Sequence, residues 1–184
     1  LSVTDAGNET VNGTLTIQVV DDVPTAVDDT ADVAAGTFEL VQDGNVLDND
    51  TRGADGARVT GIQHADDASV TSVPGTGNLV IDGEYGKLTI HSDGSYSYQR
   101  NPGTEGGVED VFEYTITDGD GDTSSASLTI SIADSAPTVD IPSAGSATTT
   151  VHESGLPDGS DNIPDRATTS GSIEFNTADG LGTV

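Results

Sequence analysis

The sequence predicts an all-β protein, a Greek-key β-sandwich, and three observations carry that prediction. Gly, Asp, Thr, Ser and Val dominate, while long helix formers are few. Apolar residues recur at every second position in short runs, which is the period of a half-buried strand. Turn-forming residues break those runs at intervals that suit two packed sheets.

The strands follow in order. "TAVDDTADVA" (25–34) reads as a first, polar strand, and "TFELVQDGNVL" (37–47) carries Phe38, Leu40 and Val46 into a second. "ARVTGIQH" (57–64) is a third, with Val59 and Ile62 inward. "NLVIDGEYGKLTIHSDGSYSYQR" (78–100) is a meander with turns at "DGEYG" and "SDGS", in which Leu79 and Ile81, Leu88 and Ile90, and Tyr96 and Tyr98 alternate with polar neighbours. "DVFEYTIT" (110–117) and "SSASLTISIA" (124–133) complete the unit, with Phe112, Tyr114 and Ile116 facing Leu128, Ile130 and Ile132. These aromatics and aliphatics read as core, and no stretch carries a helical pattern.

Lys and Arg number 5 against 32 Asp and Glu, a net charge of −27 spread along all 184 residues. Such a chain repels nucleic acid and anionic membrane surfaces. No apolar run approaches the roughly 18 residues of a membrane span. There is no Cys, so disulfides are excluded. Carboxylates folded close together at neutral pH need protonation, dispersal or cations.

A shift of 113 positions lays "TDAGNETVNGTLTIQVVDDVPT" (4–25) on "TDGDGDTSSASLTISIADSAPT" (117–138) without a gap, with Asp5 on Asp118, Leu15 on Leu128, Ile17 on Ile130 and Asp21 on Asp134. A period of that size is a domain and not a solenoid turn. The expected division is residues 1–22 as the last strand and linker of one repeat, 23–136 as a complete repeat, and 137–184 as the start of another. On this division residues 138–184 lack their closing strands, and their exposed edge is expected to be poorly ordered or completed by a neighbouring molecule's leading strand.

"YGKLTIHSDGSYSYQRNP", followed by "VEDVFEYTITDGDGDTSSASLTISI", resembles the VCBS-type and cadherin-like immunoglobulin repeats of giant bacterial RTX adhesins secreted by type I systems. "AVDDTADV" and "GNVLDNDTRGADGARVTGI" resemble the opening of those repeats, and "TVHESGLPDGSDN" with "GSIEFNTADGLGTV" is similar to the opening of another repeat type in them. The resemblance implies immunoglobulin-like or cadherin-like sandwich repeats in tandem on a bacterial surface, secreted and extracellular. Calcium at the junctions would stiffen them, neighbouring repeats of the same chain would be their partners, and distal domains would hold the ligand. The calcium-binding nonapeptide of that family is absent, because "GGVEDVFEY" has Glu109 where a glycine belongs.

In a seven-strand antiparallel Greek-key sandwich, the incoming linker, the loop after the second strand and the loop before the last strand share one pole. Here these are "VDDVPTAVDD" with Asp21, Asp22, Asp28 and Asp29, "LDNDTRGADG" with Asp48, Asn49, Asp50 and Asp55, and "DGDGD" with Asp118, Asp120 and Asp122. Ca²⁺ takes six to eight oxygens in irregular geometry, so ligands from three loops suit it. "DGDGDT" imitates half an EF-hand loop but has Thr123 at the glycine position and Thr129 at the bidentate glutamate position, so its remaining ligands must come from elsewhere. Asp134 should do at the outgoing junction what Asp21 does at the incoming one. Glu153, Asp158, Asp161 and Asp165 are its expected partners, and Glu105, Glu109 and Asp110 are weaker candidates at the far pole.

His64, His91 and His152 lie on separate segments, outside any zinc or nucleophile spacing, and read as polar surface residues. No phosphate loop or nucleophile elbow occurs, so no enzyme is expected. The leading functional expectation is a calcium-rigidified spacer of a surface adhesin. The alternative is a calcium-dependent module that binds sugar or protein, for which Tyr85 is the evident loop aromatic.

Overall fold

The structure, a computed structural model, describes residues 1–38, 40–67, 69–143 and 171–179. Its strands are β1 (Ser2–Thr4), β2 (Thr10–Asn12), β3 (Asp29–Val33), β4 (Leu40–Asn45), β5 (Arg58–His64), β6 (Thr71–Ser72), β7 (Asn78–Asp82), β8 (Gly86–His91), β9 (Ser95–Arg100), β10 (Val108–Thr117), β11 (Thr123–Ile132), β12 (Thr138–Asp140) and β13 (Glu174–Asn176). No helix occurs among the described residues.

Strands β3 to β11 make a sandwich of a five-stranded sheet, β3-β11-β10-β5-β6, and a four-stranded sheet, β4-β9-β8-β7. The period-two pattern sets what lies between them. On β10, Phe112, Tyr114 and Ile116 are wholly buried, and on β11 Leu128, Ile130 and Ile132 join them. Leu88, Ile90 and Tyr98 come from the opposite sheet, and the Tyr98 and Phe112 rings meet edge to face at 6.4 Å. Each such aliphatic or phenyl side chain contributes roughly 1.5–3 kcal/mol when fully removed from water. Val59 and Ile62 both point inward although three residues apart, because the β5–β10 register shifts between Thr115 and Ile116. A bulge of this kind adds one residue to a strand and returns its side chains to the same face.

Two expectations need correction. The sandwich has nine strands and not the seven from which the shared pole was inferred, because all eight segments read from the sequence take part and the short β6 adds a ninth. It is also not wholly antiparallel, since β3 pairs with β11 in parallel, from Leu128 opposite Asp29 to Ile132 opposite Val33. Both strands leave the same pole, one from the incoming linker and the other from the 118–122 loop, so as neighbours they must run the same way.

Asp110 and His64 also depart from expectation. Asp110 is completely buried on β10 and accepts hydrogen bonds from the Tyr98 hydroxyl at 2.7 Å and from the backbone N–H groups of Glu84 and Tyr85 at 3.0 and 3.1 Å. His64 Nε2 lies 2.8 Å from the same carboxylate, and its ring packs edge-on against Phe112. Asp110 therefore binds the 82–86 turn to the core and is not a loop ligand. His64 is a structural partner and not a surface residue.

Outside the sandwich, β1 and β2 form a hairpin with Thr4 opposite Thr10 and Ser2 opposite Asn12. Displaced by 113, these are the pairs Thr117 with Thr123 and Thr115 with Ser125 of the β10–β11 hairpin. The rest of the matching segment lies in water: Leu15 and Ile17 are 81% and 75% exposed, whereas Leu128 and Ile130 are at 0%. β12 and β13 pair antiparallel with all their residues exposed. Much of the rest of 137–184, including Glu153, Asp158, Asp161, Asp165 and His152, lies outside the described residues.

Candidate metal centre

The pole at which the chain enters the sandwich is assembled by backbone hydrogen bonds from three acidic segments. Thr25 and Thr51 form a two-way bridge, with N–H to O=C distances of 2.8 and 2.9 Å. The Ala26 N–H donates to Ser124 Oγ at 2.9 Å, which ties the linker to the start of β11. Asn49 Nδ2 donates to the carbonyls of Val27 and Asp28 at 3.3 and 3.0 Å. Gly53, at φ 72°, lies so close to the Asp22 carbonyl that a β-carbon there would collide with it.

On this frame one carboxylate oxygen each from Asp21, Asp120 and Asp122 falls within 4.8 Å of the other two. All three residues are exposed. The linker supplies the first and the 118–122 loop the other two. Asp21 Oδ1 also accepts the Asp22 N–H at 3.0 Å.

The loop holds its shape through Asp118, whose Oδ1 accepts the N–H groups of Gly121 and Asp122 at 3.0 and 2.8 Å, while the Asp118 N–H donates to the Asp122 carbonyl at 3.1 Å. The leading hairpin repeats the arrangement: Asp5 Oδ1 accepts from Gly7 and Glu9 at 2.9 and 3.0 Å, and the Asp5 N–H donates to the Glu9 carbonyl at 2.9 Å. Asn8 (φ 62°) stands in the left-handed conformation where Gly121 (φ 111°) stands in the complete repeat. Asp118 thus braces the loop from within and aims Asp120 and Asp122 at the linker.

Electrostatics mark the crowding. A hydrogen bond with Asp118, burial and the charges of Asp118, Asp21 and Asp122 push the Asp120 carboxyl up. Contact with Asp21, burial and the charges of Asp21 and Asp118 do the same to Asp122. Burial also pushes Asp118 up, but the Gly121 N–H, the Asp120 carboxyl and the Asp122 N–H outweigh it and hold it below the usual range. Like charges at this spacing raise the cost of ionising Asp120 and Asp122, and a cation between them would lower that cost. The donors are all carboxylate oxygens, which fits a hard divalent ion and not zinc.

The other expected ligands take separate places. Asp29 and Asp50 meet around the Tyr114 hydroxyl, 2.9 Å from Asp29 Oδ2 and 3.2 Å from Asp50 Oδ1, with the Val27 and Val46 carbonyls at 3.0 and 3.2 Å. Asp50 Oδ1 also accepts the Val27 N–H at 2.8 Å. Burial pushes Asp29 up to about 6 against the pull of the Tyr114 hydroxyl, and the charges of Asp50, Asp48 and Asp28 add to the rise. Asp48 is exposed. Asp28 accepts the Ser127 N–H and hydroxyl at 2.9 and 2.7 Å, which holds its carboxyl below the usual range. Asp22 contributes its carbonyl beside Gly53, and its side chain is exposed. Asp134 lies beside Gly107, at the opposite pole.

Sequence reading missed Asp110 and Arg100 as inward charges, although the signal was present. The alternation that turns Phe112 and Tyr114 inward does the same to Asp110, and that of Tyr96 and Tyr98 does the same to Arg100.

Two sheets packed as a sandwich, entered at an acidic pole that hydrogen bonds stitch to its own linker, define the class as an all-β sandwich domain. The bacterial cadherin-like domain matches residues 21–134, and the chain belongs to that family. The matched span opens at Asp21 and closes at Asp134, the two aspartates that the 113-residue repeat superimposes. No curated protein matches the chain. The family is one of extracellular structural and adhesive modules, a domain type without enzymatic function.

Proposed function

We propose that this chain is part of the extender region of a bacterial surface adhesin, in which calcium at the junctions stiffens successive sandwiches and holds a distal ligand-binding domain away from the cell. The observation that carries this reading is the meeting of Asp21, a linker residue, with Asp120 and Asp122 of the domain it leads into. A cation shared by those carboxylates would tie the angle of the linker to the sandwich and cancel part of a net charge of −27. On this reading residues 1–22 are the end of a preceding repeat, 23–136 a whole one and 137–184 the beginning of the next. Asp22, Asp48 and Asp50 would complete the incoming site with Asp118, Asp28 and Asp29 in support, and Asp134 would serve the outgoing one. An RTX adhesin of the VCBS type, secreted by a type I system for surface attachment or biofilm, is the parent protein that this reading favours.

Tyr85, which a sugar-binding or protein-binding module would need in an open loop, packs against the core. That weakens the alternative.

The test is the full chain in calcium and in chelator, followed by thermal melting and small-angle scattering. Chelation is expected to lower the melting temperature and to increase the spread of dimensions, and magnesium is expected not to restore them. An identical melt and scattering profile in both conditions would refute the calcium clamp.

A further inference from the structure

The pole opposite the acidic linker is built the other way round, around a buried cation. Arg100, at the end of β9, is one of only five Lys and Arg residues in the chain and its side chain is completely buried. Its Nε donates to Thr104 Oγ1 at 3.1 Å and its Nη2 to the Thr104 carbonyl at 2.5 Å. The guanidinium also stacks 4.7 Å from the centre of the Phe38 ring. All of these groups belong to the sandwich, and none of them carries a negative charge.

The charge comes from outside it. Asp179, 79 residues further along the chain, places Oδ1 2.8 Å from Arg100 Nη1. Its Oδ2 accepts the N–H of Ser135, in the outgoing linker, at 2.6 Å, and Oδ1 accepts the N–H of Gly36, in the β3–β4 turn, at 3.3 Å. The side chain of Asp179 is 11% exposed. Next to it, Ala178 sits so near Gly36, itself at φ 69°, that a β-carbon on Gly36 would come within 2.7 Å of the alanine methyl. Three segments of the complete repeat and its linker therefore converge on one carboxylate. The Arg100 hydrogen bond, together with those from Ser135 and Gly36, holds that carboxyl below the usual range against the effect of burial.

We propose that this pole is a carboxylate receptor that latches the segment following the linker onto the preceding sandwich, without any metal. The inference rests on the extender reading only in taking 137–184 as the start of the next repeat. With Asp179 docked the guanidinium is wholly shielded from water, and a charge so buried is tolerated only when it is paired, so the carboxylate supplies the counter-charge that this burial requires. Exposed acidic clusters lose their mutual repulsion to salt or calcium, whereas a desolvated, multiply hydrogen-bonded ion pair is little screened. Each junction would then have two holds of different chemistry, one that depends on cations and one that does not.

The chain has no cysteine, so spin labels can be placed through E113C on the sandwich and E174C on β13, both at exposed positions. The distance distribution between them is measured in chelator for the otherwise wild-type chain and for D179N and R100M. The wild-type distribution is expected to be narrow in chelator and unchanged in centre when calcium is added, and both substitutions to broaden it about twofold or more. R100M removes the buried cation at similar volume, so it reports on the latch even if D179N, which leaves Arg100 unpaired, weakens the sandwich itself. A wild-type distribution in chelator as broad as that of the variants, or an R100M distribution as narrow as wild type, overturns the latch. Neither result bears on whether calcium occupies the opposite pole.

Discussion

The Tyr114 hydroxyl stands 2.9 Å from Asp29 Oδ2 with four further acceptor contacts around it, from Val27, Val46 and both oxygens of Asp50. One phenolic proton cannot serve them all, so this part of the pole holds negative charge that the fold alone does not neutralise.

Asp29 turns that excess into a pH dependence. Its carboxyl is pushed up to about 6 from an ordinary value of 3.8, chiefly by burial. The folded state therefore binds its proton more tightly than the unfolded chain. The stability this provides is complete below about pH 4 and is lost as pH rises through about 6. In chelator, melting temperature should fall as pH is raised from about 4.5 to 7.5, other things equal. D29N keeps an acceptor for Tyr114 without the charge, and should raise stability at pH 7 by about 1 kcal/mol after allowance for solvent screening, or about 4 °C. A melting profile whose pH slope is the same in D29N and wild type would dismiss Asp29 as the titrating group.

Asp110 should behave as a structural keystone. It accepts from Tyr98, Glu84 and Tyr85 and pairs with His64, all at a fully buried position. D110A would strand these donors, and a loss of about 3 kcal/mol or more in urea unfolding is expected. A loss below about 1 kcal/mol would mean that the network relaxes and finds other partners.

For the proposed calcium site, Asp21, Asp120 and Asp122 are the candidate ligands whose carboxylate oxygens lie close enough together to share an ion. Removing two of three carboxylates with D120N/D122N should weaken calcium binding at least about tenfold by titration calorimetry, since affinity follows the number of charged ligands. D66N, an exposed aspartate outside that group, should leave it unchanged. Equal affinity in both variants would move the site elsewhere on the pole.

The leading segment should exchange as an unfolded strand. Leu15, Ile17 and Val19 are 75–87% exposed, although their counterparts Leu128, Ile130 and Ile132 are at 0–2%. Amide exchange should be close to unprotected over 14–20 and slowed about a thousandfold or more over 128–132. Comparable protection in the two stretches would show that the leading strand finds a surface to pair with.

Much of the fold was legible in the chain because a half-buried strand has only one way to satisfy two environments. Leu88 and Ile90, Tyr96 and Tyr98, and Leu128 and Ile130 alternate with polar residues, and each faces the core as its period requires. The same rule placed Asp110 and Arg100 inward, but charge hid them, because a buried charge is plausible only once its partners are known. Those partners, Tyr98 and His64 for one and Asp179 for the other, come from other strands or from 79 residues away.

The sequence by itself determined the all-β pattern, the 113-residue repeat and the acidic character of three loops, since each depends on residue type and spacing along the chain. Tertiary structure alone decided which carboxylates meet. It brought Asp21 to Asp120 and Asp122, turned Asp118 into the brace of its own loop, gave Asp29 and Asp50 to Tyr114, and set β3 parallel to β11. The physical reason is range. Alternation and turn chemistry act between neighbours in sequence, whereas charge repulsion, desolvation and cation binding depend on distances that exist only after two sheets have closed on a common core.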